Sequence, residues 1–285
     1  MTTRCDAPGL PADWLNGWLA AIGATVLVPG LKLRWTDDVV PYAVFEGDVL
    51  DVVDAVASKL PTESELAKSV IARQREECAD FPRNVSLAAY RERANLEREA
   101  HSVHLAASVS DLRADADLEN LDHGAFDVAA PRGETLWSRA VKCASLIPSD
   151  QRAQWVRESF GGLGRRVQGN GVGFDARRLP GSADSTEVFA DPVVELLVFA
   201  SLALFPTRGD GRKRVRQRGW TDRSTRPGAF TWMAWRTALD RWAIDALLDA
   251  PDVDEQNVVA RYRVVPYRSR GDSDTTRAYF AERVL

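Results

Sequence analysis

Between Arg208 and Arg226 the chain reads RGDGRKRVRQRGWTDRSTR, with eight Lys or Arg against two Asp, a local charge of +6 in a chain whose formal charge is -4. The other residues therefore sum to -10, so positive charge is concentrated in this loop. Clustered cations bind a phosphate backbone by displacing its condensed counterions. Arg208, Arg212, Lys213, Arg214, Arg216 and Arg218 are the candidate phosphate contacts. Trp220, at the loop's edge, could stack on a base or wedge between bases. The competing reading is a loop that merely solvates, or that docks on the acidic stretch Asp111–Asp127, which holds six Asp or Glu against one Arg.

A second candidate surface is the Gly-rich segment GGLGRRVQGNGVGF, residues 161–174, in which Arg165 and Arg166 add charge to a backbone that a ligand could approach closely. It is neither a dinucleotide fingerprint nor a P-loop, since no strand–GxGxxG–helix arrangement and no Gly-Lys-Ser/Thr is present. A plain turn or connection is the alternative. His101 and His104 are three apart on an expected strand, which sends them to opposite faces, and no Cys stands near them at zinc spacing. No G-x-S-x-G elbow nominates a nucleophilic serine. Glu195 falls in the first turn of an apolar helix, where the dipole stabilises a carboxylate. No metal or cofactor is expected.

Of 37 basic residues only five are Lys, and the pI near 5.6 argues against a protein that coats nucleic acid generally. Three widely spaced cysteines (Cys5, Cys78, Cys143) do not make a disulfide framework, which points to a reducing cytoplasm. The apolar run Trp14–Val28 is too short for a membrane span of about 20 residues, and no cationic region precedes it. Neither a membrane anchor nor a signal peptide is expected.

The elements that must position these residues read as α+β, mainly helical with short antiparallel strands. A capped helix over Trp14–Val28, stopped by Pro29-Gly30, precedes strands at Leu31–Trp35 and Tyr42–Phe45. Helices follow at Asp48–Leu60, Glu63–Cys78 and Leu87–Ala100, then a strand-like His101–Ser110, an acidic surface loop over Asp111–Asp127 and a helix at Glu134–Leu146. Asp191 as N-cap with Pro192 at the first position starts a buried apolar helix that Pro206 closes. Residues 231–250 are predicted to form one long amphipathic helix with Trp232, Trp235, Leu239, Trp242 and Leu247 on one face. A terminal strand covers Val258–Pro266. Two lobes, 1–147 and 148–285, or a single domain, are equally compatible with this order.

Three stretches taken together resemble short large-subunit-like CRISPR-associated proteins of type I-U (I-G) effector modules. They are the opening PADWLNGWLAAIGATVLVPGLKLRWTDD, the pair VGFDARRL and DPVVELLVFASLALFPTRG, and the later GAFTWMAWRTALDRWAIDALL. They cover about a third of the chain and lie mostly at helix-packing positions. The resemblance implies a non-catalytic subunit of an RNA-guided antiviral complex, with guide RNA, target DNA and other effector subunits as partners. Two other readings remain open. One is a protein scaffold with Trp14, Trp18 and Trp155 as interface anchors. The other is a small-molecule enzyme built on the Gly-rich segment, with Glu195 or a histidine beside Arg165 and Arg166.

Overall fold

The computed structural model describes residues 2–67, 109–114, 121–123, 136–168, 189–205, 208–209, 215–216, 218–221, 229–249, 254–268 and 276–284. At its centre two apolar helices cross, α1 (Leu15–Leu27) and α6 (Pro192–Ser201). The start of α6 is fixed chemically. Asp191 Oδ1 accepts from the amides of Val193 (3.0 Å) and Val194 (3.4 Å), satisfying donors that a helix leaves open, while Pro192 has no amide to satisfy. Every residue of α6 is buried. Such a helix can approach its partner closely only where side chains are absent, and Gly23 of α1 supplies that gap. A Cβ there would sit 2.7 Å from the carbonyl carbon of Leu197, and nearer still to its oxygen.

Around this pair stand α2 (Val52–Lys59), α3 (Glu63–Ala67), α4 (Leu136–Ser145) and α5 (Arg152–Phe160). Arg152 of α5 donates to the carbonyls of Ala57 (3.2 Å) and Leu60, placing a cation on the open carbonyls at the end of α2. An antiparallel sheet of β1 (Thr3–Pro11), β3 (Tyr42–Gly47) and β2 (Lys32–Trp35), in the order β1-β3-β2, lies beside them. Because β1 is an edge strand, it tolerates Pro8 and Pro11, which a central strand would not.

The second sheet runs β10 (Phe230–Trp235), β11 (Val258–Arg268), β12 (Thr276–Arg283), again antiparallel. Three tryptophans tie β10 to the N-terminal half by indole hydrogen bonds. Trp18 donates to Met233 O (2.8 Å), Trp232 to Ala12 O (2.7 Å) and Trp235 to Leu33 O (2.9 Å). A bridge between Leu33 and Leu239, with N–O distances of 2.8 and 2.9 Å, ties β2 to the segment that follows β10. One cluster of buried apolar side chains therefore draws on residues from Ala7 to Val264.

The mixed α+β class holds. Several local expectations do not. The single helix over 231–250 is instead strand β10 followed by a shorter helix, α7 (Arg241–Asp249), started by Asp240, whose carboxylate accepts from Trp242 N (3.1 Å) and Ala243 N (2.9 Å). Trp232 and Trp235 share the core although they are three apart, because the register shifts between Ala234 and Trp235. Trp242 is 67% exposed and lies under the Arg241 guanidinium at 4.2 Å. The acidic stretch is no simple loop: β4 (Val109–Ala114) and β5 (Leu121–His123) pair as an antiparallel hairpin. Trp14, Trp18 and Trp155 are buried in the chain's own core and are not interface anchors. The expected helix Leu87–Ala100, most of Glu63–Cys78, His101 and His104 lie outside the described residues.

Candidate nucleic-acid interface

The basic segment begins as a hairpin. β8 (Arg208–Gly209) pairs with β9 (Val215–Arg216), with Arg208 directly opposite Arg216 and Gly209 opposite Val215. Residues 210–214 connect them, so Arg212, Lys213 and Arg214 belong to the connection and lie outside the described residues. Like charges directly opposed across an antiparallel pair destabilise it, and a polyanion relieves that repulsion. β8 also lies against β4, the first strand of the acidic hairpin, which begins Val109-Ser110-Asp111.

Arg218 has a different job from the one its charge suggests. Its side chain is only 6% exposed and reaches α7, where it pairs with Asp245 and Asp249. It donates from Nε to Asp249 Oδ1 (2.6 Å) and from Nη1 to Leu204 O (2.8 Å). Burial pulls this guanidinium down, but the hydrogen bonds it donates to Asp249 and Asp245 outweigh it and hold the group above its ordinary value. Arg218 is thus a clamp between the end of α6 and α7, and it is corrected from phosphate contact to structural residue. Arg218→Ala is expected to cost about 1–3 kcal/mol, chiefly by leaving the Leu204 carbonyl without its donor and removing the buried stem, since Asp245 (39% exposed) and Asp249 (47% exposed) can be resolvated. Urea unfolding measures that loss, while the salt slope of nucleic-acid binding should match the wild type.

Trp220 is half-buried. It forms a bridge with Phe230 and packs on its ring at 5.3 Å between centroids, so it extends the second sheet by one short edge. The Gly-rich segment is likewise used for packing where it is described, and it leads into β6 (Val167–Gln168), which pairs with β7 (Phe189–Ala190) just before α6. A Cβ at Gly164 would collide with the Asp191 carboxylate that caps α6. Arg165 lies over the Trp155 ring (4.9 Å) and pairs with Glu158 (2.9 Å), whose carboxyl this contact lowers. Arg166 is exposed. Glu195 is 2% exposed and accepts from Asn16 Nδ2 at 2.9 Å, between α1 and α6 and apart from Arg165. Among the described residues no three His, Cys, Asp or Glu side chains converge as a metal site.

Sequence reasoning missed a cavity of about 330 Å³ at the second sheet, lined by Met233, Leu247, Leu248, Tyr262, Trp232 and Trp235, with Arg261 and Arg263 beside them. The period-2 alternation of Phe230-Thr231-Trp232-Met233-Ala234 was the signal that could have revealed its floor. No helix among the described residues is long and apolar enough to cross a membrane. The chain matches no protein-family model, no curated protein and no solved structure.

Proposed function

We propose that this chain is a non-catalytic, nucleic-acid-contacting subunit of a CRISPR-type, RNA-guided defence complex, working in the cytoplasm beside other effector subunits and holding guide RNA or target DNA. One observation carries the reading: the densest run of positive charge, Arg212-Lys213-Arg214, falls in the short connection between two paired strands that bring Arg208 opposite Arg216, so that five cations are gathered in nine residues. The sequence resemblance to type I-U (I-G) subunits adds the context, and base pairing would supply sequence recognition there. Phosphate contact is assigned to Arg208, Arg212, Lys213, Arg214 and Arg216, with Arg166 as an outlying contact.

A protein scaffold is the second reading, favoured by the exposed side chains of Val39, Leu50, Leu163 and Trp242. Purifying the tagged chain from its native cell separates the two. The proposal expects protein partners together with a small RNA. Changing Arg212, Lys213 and Arg214 to Ala should lower the nucleic-acid content while the protein stoichiometry stays the same. Protein partners recovered free of nucleic acid, with no difference between variant and wild type, would instead establish the scaffold.

A further inference from the structure

The cavity at the second sheet has features that the basic hairpin alone does not explain. Its volume of about 330 Å³ stands at the lower end of the range for ligand pockets. That suits one flat ring system better than a long chain. The walls are largely apolar, drawn from Met233, Leu247 and Leu248 together with Trp232, Trp235 and Tyr262. A base removed from its stack is held between apolar and aromatic side chains in this manner.

Two arginines, Arg261 and Arg263, are among the lining residues, and Glu282 of β12 stands opposite Arg263 in the β11–β12 register. Arg261 and Arg263 stand opposite Met233 and Thr231 in the β10–β11 register, and residues two apart on a strand share one face. Arg263 is exposed and makes no ion pair among the described residues. Arg261 pairs with Glu255 at 2.8 Å, but that carboxylate is 71% exposed. An exposed pair contributes little, so a phosphate can take its place.

The chain runs from the end of β9 at Arg216 to Gly219, in the cavity wall, within three residues. Three residues span at most about 10 Å, so the end of the hairpin lies within that distance of the cavity wall.

We propose that this cavity binds a single unstacked nucleotide, with the base inside and the phosphate at Arg263 and Arg261. The proposal rests on the nucleic-acid reading above and adds a second contact, one of stacking and desolvation rather than of phosphate charge. Because the walls offer few hydrogen-bonding groups, the site discriminates weakly among bases.

The test uses the full chain and two readouts. In the first, AMP, CMP, GMP and UMP are titrated at low salt while tryptophan emission is followed, with dodecanoate as a comparison anion. Saturable quenching by the mononucleotides is expected. Arg263→Ala should weaken it about tenfold, in line with the loss of one phosphate contact in a site held together by stacking. The combined Ala variant at Arg212, Lys213 and Arg214 should leave it unchanged. In the second readout, single strands carrying 2-aminopurine should lose emission on binding. Thr231→Trp, which fills the mouth from an exposed strand position, should remove that change while strand affinity falls by less than about threefold, because the hairpin still holds the phosphates.

Strands that bind through the hairpin with no 2-aminopurine change, and mononucleotides that fail to quench, overturn the cavity proposal and leave the hairpin reading standing. Quenching by dodecanoate alone also overturns it, making the cavity a site for an acyl chain. Mononucleotide quenching without strand binding upholds the cavity and removes the hairpin reading.

Discussion

Gly23→Ala is expected to lower the unfolding free energy by more than about 3 kcal/mol, beyond the usual cost of an added core methyl. In an ordinary helix interior the same change would stabilise by about 1 kcal/mol, because alanine restricts the unfolded chain and glycine does not. Here the new methyl points at the backbone of the crossing helix. It would press on the Leu197 carbonyl, and a backbone group inside a helix cannot turn aside as a side chain can. The two central helices must then separate, and each packing contact along α1 and α6 loosens with them. Gly161→Ala is the matched control, since its nearest neighbour would be Arg157 O at 3.3 Å. It should stay within about 1 kcal/mol of the wild type. Urea unfolding followed by circular dichroism distinguishes the two. A Gly23→Ala protein as stable as the wild type would mean that α1 and α6 do not cross this closely.

The second large effect belongs to Glu195→Leu, expected to cost about 2–4 kcal/mol. Asn16 is fully buried and donates to Glu195 at 2.9 Å, so removal of the carboxylate strands an amide where water cannot reach it. The loss should be cooperative. Replacing both Asn16 and Glu195 with leucine removes donor and acceptor together, and should recover about 1–2 kcal/mol relative to the sum of the single changes. Strict additivity would show that the pair contributes nothing as a pair. The same carboxylate also acts on its surroundings: burial first, and then the nearby Glu195 charge, push the Cys143 thiol far above its usual range, so it should resist alkylation in the folded protein.

Some of this was readable in the chain. The Asp191-Pro192 pair marks a helix start by chemistry that needs no tertiary partner, and the first helix with its two following strands sits close to where periodicity and turn residues place it. What escaped reading did so for identifiable reasons. Phe230–Trp235 carries two tryptophans three apart, which reads as helical spacing. A register shift in a strand puts both on the same side and yields the same pattern. β1 contains two prolines and a glycine, which argue against a strand unless it lies at an edge, and edge position is a property of the whole sheet. α5 carries a polar, weakly periodic sequence and owes its place to Trp155, Val156 and Phe160 packing inward.

The site was legible as charge and not as geometry. Net charge nominated Arg218 on equal terms with its neighbours, yet Asp245 and Asp249, four apart on one helix face, were waiting for a buried cation. Charge composition cannot say which arginine reaches such a pair. The cavity beside Arg263 depends on β10 and β11 lying side by side, a relation between segments that no local pattern records.

The central claim is that the hairpin of Arg208–Arg216 is the phosphate-contacting surface. Its most direct test is the salt dependence of binding to labelled single-stranded RNA, single-stranded DNA and duplex DNA, for the wild type and for the variant with Arg212, Lys213 and Arg214 changed to Ala. Arg218 is left in place in that variant because its loss would unseat α7. Each phosphate contact removed should lower the slope of log affinity against log salt by about 0.7 on a single strand and about 0.9 on a duplex. Three lost contacts therefore predict a slope shallower by about 2 to 3, with affinity at low salt falling steeply. Equal slopes for variant and wild type, or no binding by the wild type at low salt, would contradict the claim.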